Sequence, residues 1–303
     1  MNVEQAGDAL SWSGNHKDEL RAVVAQHGAV LVRGLGLQDA SQVSDVFQHL
    51  GSNLMTEMEA FASREKYSDG IYSSSTWPAN QQMCMHHELS YVLEFPGLMM
   101  FACLVPPASG GATGVANATS VLEALPEDLV ARFETEGWML TRNFNDDIGV
   151  SFAEAFGTED QSEVENYCRT NAIEFEWQSD GGLRTRQLRR AVVKHPQTGQ
   201  RCWFNQIAFL NEWTIEPEVR EFLVDVYGAD GLPFNSRFAN GDEISQDIVQ
   251  TINEVYDANT AREPWQAGDL MLVDNVRMAH SREAFEGTRE VLVGLSDPTR
   301  LVD

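Results

Sequence analysis

The chain has 303 residues, of which 43% are hydrophobic, enough to bury one large core or two modest ones. Its formal net charge of -25 at pH 7 disfavours binding to nucleic acid or to anionic membranes, and no apolar run approaches the length of a membrane span. The N-terminus lacks the apolar core of a signal peptide and the four scattered cysteines form no C-x-x-C pair, so we expect a cytoplasmic protein with reduced thiols.

The first part of the chain alternates between helical and extended patterns. Apolar residues at helical spacing predict helices over residues 17–27 and 39–50, and an apolar run predicts a strand over residues 28–35 between them. A second apolar run predicts a buried strand over residues 98–105. Pro126 opens the next predicted helix, because proline is well tolerated at the first helical position.

Between residues 145 and 190 the periodic pattern loosens, and we predict a helical or lid-like insertion there. The alternative is a solvated surface insertion. Next come a predicted hairpin, formed by residues 191–195 and 201–210, and two predicted helices, over residues 217–227 and 242–256. Strands are predicted again over residues 269–273 and 289–295.

Strands at both ends of the chain, with helices inserted between them, predict the fold class. We expect a mainly β protein with inserted helices and a double-stranded β-helix, or jelly-roll, core. Glycine and proline are spread evenly and no low-complexity linker interrupts the chain, so residues 1–303 are predicted to form a single domain.

His86 and Glu88 are the first candidate metal ligands. In an extended strand, side chains two residues apart point to the same face, so these two would project together while His87 points away. Two histidines and one carboxylate on one face of an octahedral iron(II) leave three positions for a cosubstrate and oxygen. The motif is short, and the alternative is an ordinary exposed histidine–glutamate pair.

Two later residues are also candidates for this site. His280 comes after a predicted strand that ends in Asp274 and Asn275, which makes it a candidate third ligand. Arg289 begins a largely apolar strand, where its guanidinium group could bind a dicarboxylate in bidentate fashion. The alternative for Arg289 is an arginine at the edge of a strand that reaches solvent.

A glycine pair, Gly110 and Gly111, stands shortly before Thr113. The pair permits a close approach of the backbone, and the threonine supplies a hydroxyl group. A plain turn is the alternative, because these residue types are common in turns.

Taken in order, these motifs resemble those of the taurine dioxygenase/clavaminate synthase-like superfamily of iron(II)- and 2-oxoglutarate-dependent oxygenases. The order is H-x-[DE], G-G-x-T, D-N-x-x-x-x-H and an arginine on the last core strand. The resemblance extends along most of the chain and is nearest to the branch of syringomycin-type amino-acid hydroxylases. It implies that His86, Glu88 and His280 bind the metal and that Thr113 and Arg289 bind 2-oxoglutarate.

Two positions refine what the resemblance implies. Some members of the superfamily have a second arginine where this chain has Val293, so the near carboxylate of 2-oxoglutarate, or an anionic substrate group, must find another partner. Related halogenases replace the carboxylate ligand with a small residue. The presence of Glu88 therefore argues against halogenation.

The function that the resemblance implies is hydroxylation of an unactivated C–H bond with iron(II), 2-oxoglutarate and O2. The expected substrate is an amino acid or an amino-acid derivative of secondary metabolism such as antibiotic biosynthesis, free or tethered to a peptidyl carrier protein. Ser75, Asn205 and Gln206 are candidate substrate-binding residues, although hairpin packing would equally explain the last two. Desaturation, epoxidation or cyclisation at the same iron centre remain open, as does a non-catalytic jelly-roll binding protein.

One basic cluster interrupts the negative charge of the chain. It comprises Arg184, Arg186, Arg189 and Arg190. Carrier proteins are usually acidic, so a local basic patch would favour their docking. The alternative is a solvated strand face.

Overall fold

The computed structural model describes residues 1–3, 7–145 and 147–301. The α-helices within these residues are α1 Ala9–His27, α2 Ala40–Leu50, α3 Ala118–Ala124, α4 Glu127–Glu136, α5 Phe152–Phe156, α6 Gln161–Thr170, α7 Pro217–Tyr227 and α8 Gln246–Ala258. None of the helices described is long and apolar enough to cross a membrane.

The strands are short, with two exceptions. They are β1 Ala29–Val32, β2 Lys66–Ser68, β3 Ile71–Ser73, β4 Met83–His86, β5 Phe95–Val105, β6 Ser109–Gly110, β7 Thr113–Asn117, β8 Trp138–Phe144, β9 Ile173–Trp177, β10 Leu183–Arg189, β11 Val192–Lys194, β12 Arg201–Trp203, β13 Phe234–Phe238, β14 Thr260–Ala261, β15 Leu270–Asp274, β16 Met278–Arg282, β17 Phe285–Glu286 and β18 Glu290–Thr299. The long strands β5 and β18 pair with each other at the centre of the largest sheet.

This major sheet has the order β1-β15-β5-β18-β3-β2, and every pair in it is antiparallel. Both faces are covered, because alternate residues of a strand point to opposite sides. Met99 and Phe101 of β5 point into the central core, whereas Met100 packs with α1 and α2 on the other face. Gly294 of β18 lies against Phe47 of α2, and a Cβ there would come within 2.5 Å of the Phe47 ring. Glycine therefore permits the close packing of α2 on the sheet.

A minor sheet, of order β14-β7-β16-β4, completes the core. Its buried residues, such as Met85 and Ala279, belong to the same apolar cluster as the inner face of the major sheet. His280 on β16 lies opposite His86 on β4. The two sheets enclose one core, and the predicted jelly roll is confirmed.

A third sheet, the inserted sheet, has the order β13-β8-β10-β9. Residues 145–190, the predicted insertion, contribute α5, α6, β9 and β10, while β8 and β13 come from outside it. A separate apolar cluster that includes Phe144, Phe156 and Cys168 packs α5 and α6 against this sheet. This segment therefore forms strands as well as helices.

Two predicted elements differ from the structure, and one strand is additional to the prediction. Helix α1 begins at Ala9 rather than at residue 17, because the Asp8 side chain accepts a hydrogen bond from the Ser11 backbone N–H and caps the helix. The predicted strand over residues 201–210 is wrong beyond Trp203, since residues 204–210 are all buried in a loop. Strand β16, which carries His280, was not predicted at all.

Candidate metal centre

The three predicted metal ligands, His86, Glu88 and His280, meet between the two core sheets. Glu88 Oε2 lies 3.8 Å from His86 Nε2 and 3.4 Å from His280 Nε2. The candidate ligand atoms of all three residues lie within 4.8 Å of one another, and all three side chains are buried. Metal bonds of about 2.1 Å place neighbouring ligands of an octahedral ion about 3 Å apart, so the cluster suits a single ion.

Glu88 is positioned by Asn275 rather than by a strand. Strand β4 ends at His86, so the prediction that Glu88 continues it is wrong. Glu88 lies in the turn that follows, where its backbone N–H donates to Asn275 Oδ1 at 2.8 Å. The Asn275 side-chain amide in turn donates to the carbonyl oxygens of Glu88 and Pro96, each at 2.8 Å. The fully buried Asn275 therefore fixes the backbone of a candidate ligand.

His87 and Asp274, the sequence neighbours of Glu88 and Asn275, make further hydrogen bonds that hold the turn after β4 and the end of β15 in place. His87 points away from the cluster, as predicted, and its Nδ1 lies 2.6 Å from the Asn275 carbonyl oxygen. Asp274 Oδ2 lies 2.8 Å from His195 Nε2, and Asp274 Oδ1 accepts two backbone N–H groups of the following turn. The Asp274–Asn275 pair therefore connects the end of β15 both to the β11–β12 hairpin and to the turn that carries Glu88.

The electrostatics of the cluster favour the metal-binding forms of its side chains. Burial, reinforced by the neighbouring His280, lowers the pKa of His86 to about 3. His86 is therefore a neutral imidazole at pH 7, the form that binds a metal. Burial alone would raise the pKa of Glu88, but Arg64 and the two histidines hold it well below its usual range. Glu88 is consequently a carboxylate.

Arg289 lines the same cavity as the cluster, just before the start of β18. Its Nε donates to the Gly111 carbonyl oxygen at 2.9 Å, and its other two nitrogens lie 3.5 Å from Ser74 Oγ and 3.4 Å from Thr113 Oγ1. Burial, together with the charge of Arg282, lowers the pKa of Arg289 to about 10. None of the carboxylates in the described residues pairs with Arg289. A bound dicarboxylate would supply that missing charge.

The glycine pair brings the backbone close to Arg289. Gly110 and Gly111 both have left-handed backbone angles, with φ of +65° and +69°. A Cβ on Gly110 would lie 2.2 Å from the Ala284 carbonyl oxygen, and one on Gly111 would lie 3.2 Å from Arg289 Cδ. Only glycine fits both the angles and the space, so the pair is more than a plain turn.

Thr113 is oriented for a ligand. Its hydroxyl accepts a hydrogen bond from Trp265 Nε1 at 3.2 Å and a longer one from Arg289. Because both neighbours are donors, the hydroxyl proton of Thr113 is available to an acceptor in the cavity.

The candidate substrate residues divide into two groups. Ser75 lines the cavity, and its hydroxyl accepts a hydrogen bond from Arg64 Nε at 2.9 Å. Asn205 and Gln206 are buried but are not among the residues that line this cavity. The Asn205 amide donates to the Ala191 carbonyl oxygen at 3.1 Å, which is the hairpin contact considered as the alternative. Gln206 Oε1 has no hydrogen-bond partner within the described part of the chain.

The structure adds residues that the sequence did not reveal. Phe209 stacks on His86, with ring centroids 4.6 Å apart. Arg282 lines the cavity and donates to the carbonyl oxygens of Trp77, Pro78 and Gln81, which holds that segment beside the site. Short sequence motifs carry no signal for such contacts, because the partners lie far apart in the chain.

Comparison with known proteins agrees with this geometry. Residues 4–295 match the model of the taurine catabolism dioxygenase TauD, TfdA family. The chain belongs to this family. It is therefore a 2-oxoglutarate-dependent non-haem iron oxygenase, which uses iron(II), 2-oxoglutarate and O2, and the predicted superfamily and cofactors are confirmed.

Two relatives match nearly the whole chain. The dapdiamide synthesis protein DdaC of Enterobacter agglomerans is 36% identical over 276 residues, which cover 91% of this chain and 84% of DdaC. A clavaminate synthase-like protein of Arabidopsis thaliana is 28% identical over 290 residues, which cover 92% of this chain and 84% of the relative.

Solved structures resemble the fold at low sequence identity. PvcB of Pseudomonas aeruginosa superposes with a TM-score of 0.56 at 13% identity, covering 94% of this chain and 82% of PvcB. A taurine dioxygenase of Burkholderia xenovorans gives a TM-score of 0.54 at 15% identity, with coverage of 94% and 82%. At these identities the likeness shows the fold alone.

Proposed function

We propose that His86, Glu88 and His280 hold the iron(II) and that Arg289 and Thr113 bind the far carboxylate of 2-oxoglutarate. The supporting observation is that the three candidate ligand side chains converge in one cavity, and that Arg289 on the wall of this cavity pairs with no carboxylate of the described residues. In this family the metal supplies the activation of O2, coupled to oxidation of 2-oxoglutarate. The chain itself binds, orients and shields the reactants.

We further propose that the reaction hydroxylates an unactivated C–H bond of an amino acid or an amino-acid derivative in secondary metabolism. One comparison supports this assignment: DdaC, which is 36% identical to this chain, is a dapdiamide synthesis protein. The carboxylate at Glu88 supports hydroxylation over halogenation. The substrate would be free or tethered to a carrier protein.

The basic cluster bears on the tethered alternative. Arg184 and Arg186 line a groove of about 590 Å³ on the outer face of the inserted sheet. Arg189 and Arg190 line a different depression, where Arg189 Nε donates to the Tyr91 carbonyl oxygen. The four arginines are therefore two separate pairs rather than one basic patch, which weakens the case for carrier docking there.

We also propose that residues 1–303 act as one oxygenase domain in which residues 145–190 form a lid. Gly149 and Val150 of this segment line an aromatic-walled pocket together with Phe61, Trp77 and Phe234. Limited proteolysis tests the lid: bound ligands should protect the segment from cleavage. A cytoplasmic location remains part of the proposal and is supported by four cysteines that form no disulfide.

A substrate screen tests the reaction. The purified protein would be supplied in air with iron(II), 2-oxoglutarate and a panel of free and carrier-bound amino acids, while succinate release is measured. The substrate should accelerate succinate release and gain one oxygen atom by mass spectrometry, whereas His280→Ala should show neither effect. Loss of two hydrogen atoms would indicate desaturation or cyclisation instead, and a gained oxygen at a double bond would indicate epoxidation. No acceleration by any compound would favour a non-catalytic binding protein.

A further inference from the structure

Arg64 is a buried arginine with an unused donor in the metal cavity. Its side chain is 9% exposed and lines the same cavity as the metal cluster. Nη2 donates to Glu88 Oε1 at 2.8 Å, and Nε donates to Ser75 Oγ at 2.9 Å. Nη1 is buried and has no hydrogen-bond partner among the residues that the structure describes. The Glu57 carboxylate lies 3.7 Å from Nε, beyond hydrogen-bond distance.

An orphaned donor of this kind points to a ligand. A buried N–H group without an acceptor is costly, and such groups usually have a partner in a native protein. The guanidinium group is held on two sides, by Glu88 and by Ser75, so Nη1 is fixed in direction. An anionic oxygen is the acceptor that best matches a fixed guanidinium N–H group.

The 2-oxoglutarate site proposed above is distinct from Arg64. Arg289 approaches Ser74 and Thr113, whereas Arg64 contacts Ser75, so the two guanidinium groups occupy different parts of the cavity wall. Val293 lines the same cavity and supplies no charge. Arg282, the third arginine of the cavity wall, uses both of its Nη groups to bind backbone carbonyl oxygens. Arg64 is therefore the arginine that retains a free Nη group for a second anionic group.

An aromatic-walled pocket borders the segment that carries Arg64. Residues 61–63, directly before Arg64, line the aromatic-walled pocket that residues 149 and 150 also line. Phe209 packs between this pocket and the metal cluster, because its ring lies 5.3 Å from Phe61, 5.8 Å from Trp77 and 4.6 Å from His86. A substrate group bound in this pocket would therefore lie beside the segment that carries Arg64.

We propose that Arg64 binds a carboxylate of the primary substrate through Nη1. The inference rests on the proposed function and narrows its substrate class to compounds with a free carboxylate near the oxidised C–H bond. An amino acid tethered to a carrier protein has its α-carboxyl group in a thioester. Such a tethered substrate could bind to Arg64 Nη1 only if it carried a second carboxylate.

The test compares acids with their neutral analogues by binding rather than by turnover. Under anaerobic conditions, the complex with iron(II) and 2-oxoglutarate is titrated with free and N-acylated amino acids, including the dicarboxylic ones, and with the matching carboxamides. Binding is followed through the change in the visible absorption of the complex. A lost hydrogen bond to a charged group predicts that an acid binds about 10- to 100-fold more tightly than its carboxamide.

Variants test whether Arg64 causes the difference in affinity between an acid and its carboxamide, which is called the acid-to-amide ratio below. Arg64→Gln should reduce the acid-to-amide ratio to about one, and Arg64→Lys should retain part of it. Because Arg64 also contacts Glu88, either variant can disturb the metal site, but such an effect acts on acid and amide alike and cancels in the ratio. Arg33→Gln, which changes an arginine paired with Asp269, is the matched control and should leave the ratio unchanged.

The outcomes separate this inference from the proposed function. If the unsubstituted protein forms no visible band with iron(II) and 2-oxoglutarate, the proposed function fails. If the band forms but no acid perturbs it, or if Arg64→Gln preserves the acid-to-amide ratio, only the Arg64 inference is overturned. A loss of 2-oxoglutarate affinity in Arg64→Gln with an unchanged ratio would assign Arg64 to the near carboxylate of 2-oxoglutarate and would also overturn it.

Discussion

Replacing Asn275 by alanine should destabilise the fold and loosen the metal centre together. The Asn275 side chain makes three buried hydrogen bonds, two with the backbone of Glu88 and one with the Pro96 carbonyl oxygen. Each buried group left without a partner costs about 1–3 kcal/mol. A water molecule that enters the space of the lost amide recovers part of that cost, so we expect a loss of about 3–5 kcal/mol.

Such a loss is a large fraction of the roughly 5–15 kcal/mol that stabilises a typical domain. Urea denaturation, with the same m-value required of both proteins, measures the change in the free energy of unfolding. Iron(II) affinity is measured in parallel under nitrogen. Because Asn275 fixes the backbone of Glu88, a proposed metal ligand, we expect an approximately tenfold weaker affinity for iron(II), within the range of effects seen when ligand support is lost.

Asn211→Ala is the matched control. Asn211 is also buried and makes three hydrogen bonds, to Ser236 and to the Trp213 backbone N–H, but it does not contact Glu88. It should lose stability without a change in iron affinity. A loss below about 1 kcal/mol in Asn275→Ala, or the same iron affinity in both variants, would refute the role assigned to Asn275.

Two further predictions concern charge. Arg289→Gln should weaken 2-oxoglutarate binding about 10- to 100-fold, because it removes the proposed charged partner of the far carboxylate. Arg289→Lys keeps the charge and should lose less of this affinity. An unchanged affinity for 2-oxoglutarate in Arg289→Gln would contradict the assignment. Burial lowers the pKa of His87 to about 4. Between pH 6.5 and 4, His87 is therefore protonated more often in the unfolded chain than in the folded one. As the pH falls through this range, the free energy of unfolding of the metal-free protein should decrease by up to about 1.4 kcal/mol per pH unit because of this histidine. Urea denaturation at pH 7, 6 and 5 should show a shallower pH dependence for His87→Gln, and an equally steep one would count against the buried neutral imidazole.

Local patterns predicted most of the core. The uninterrupted apolar run over residues 98–105 falls within β5, whose residues 98–103 are buried, and the helical spacing over 39–50 and 217–227 matches α2 and α7. Periodicity does not indicate what covers an apolar face, however. Val219, Phe222 and Val226 form the apolar face of α7, yet they are 49%, 62% and 54% exposed.

The candidate site was predictable where its residues stand in short ordered motifs. His86, Glu88, His280, Thr113 and Arg289 all line one cavity. Each motif alone is weak, so the order of these residues along the chain was what indicated that they belong to one site.

The remaining site residues depend on contacts between distant segments. Arg64 meets Glu88 only because the loop before β2 folds over the end of β4. Asn275 is visible as part of a motif, but its role as a clamp on Glu88 appears only when the turn after β4 meets the end of β15. Residues 204–210 were mistaken for a strand because a fully buried loop and a buried strand have the same apolar composition.

The most direct measurement is an anaerobic titration of the protein with iron(II) and 2-oxoglutarate, followed by visible absorption. A metal-to-ligand charge-transfer band requires both the metal ligands and the chelating cosubstrate. We expect the band in the unsubstituted protein with one iron per chain, and its loss in Glu88→Ala and His280→Ala. Absence of the band from the unsubstituted protein, or its persistence in both variants, would contradict the assignment of His86, Glu88 and His280 as the iron centre.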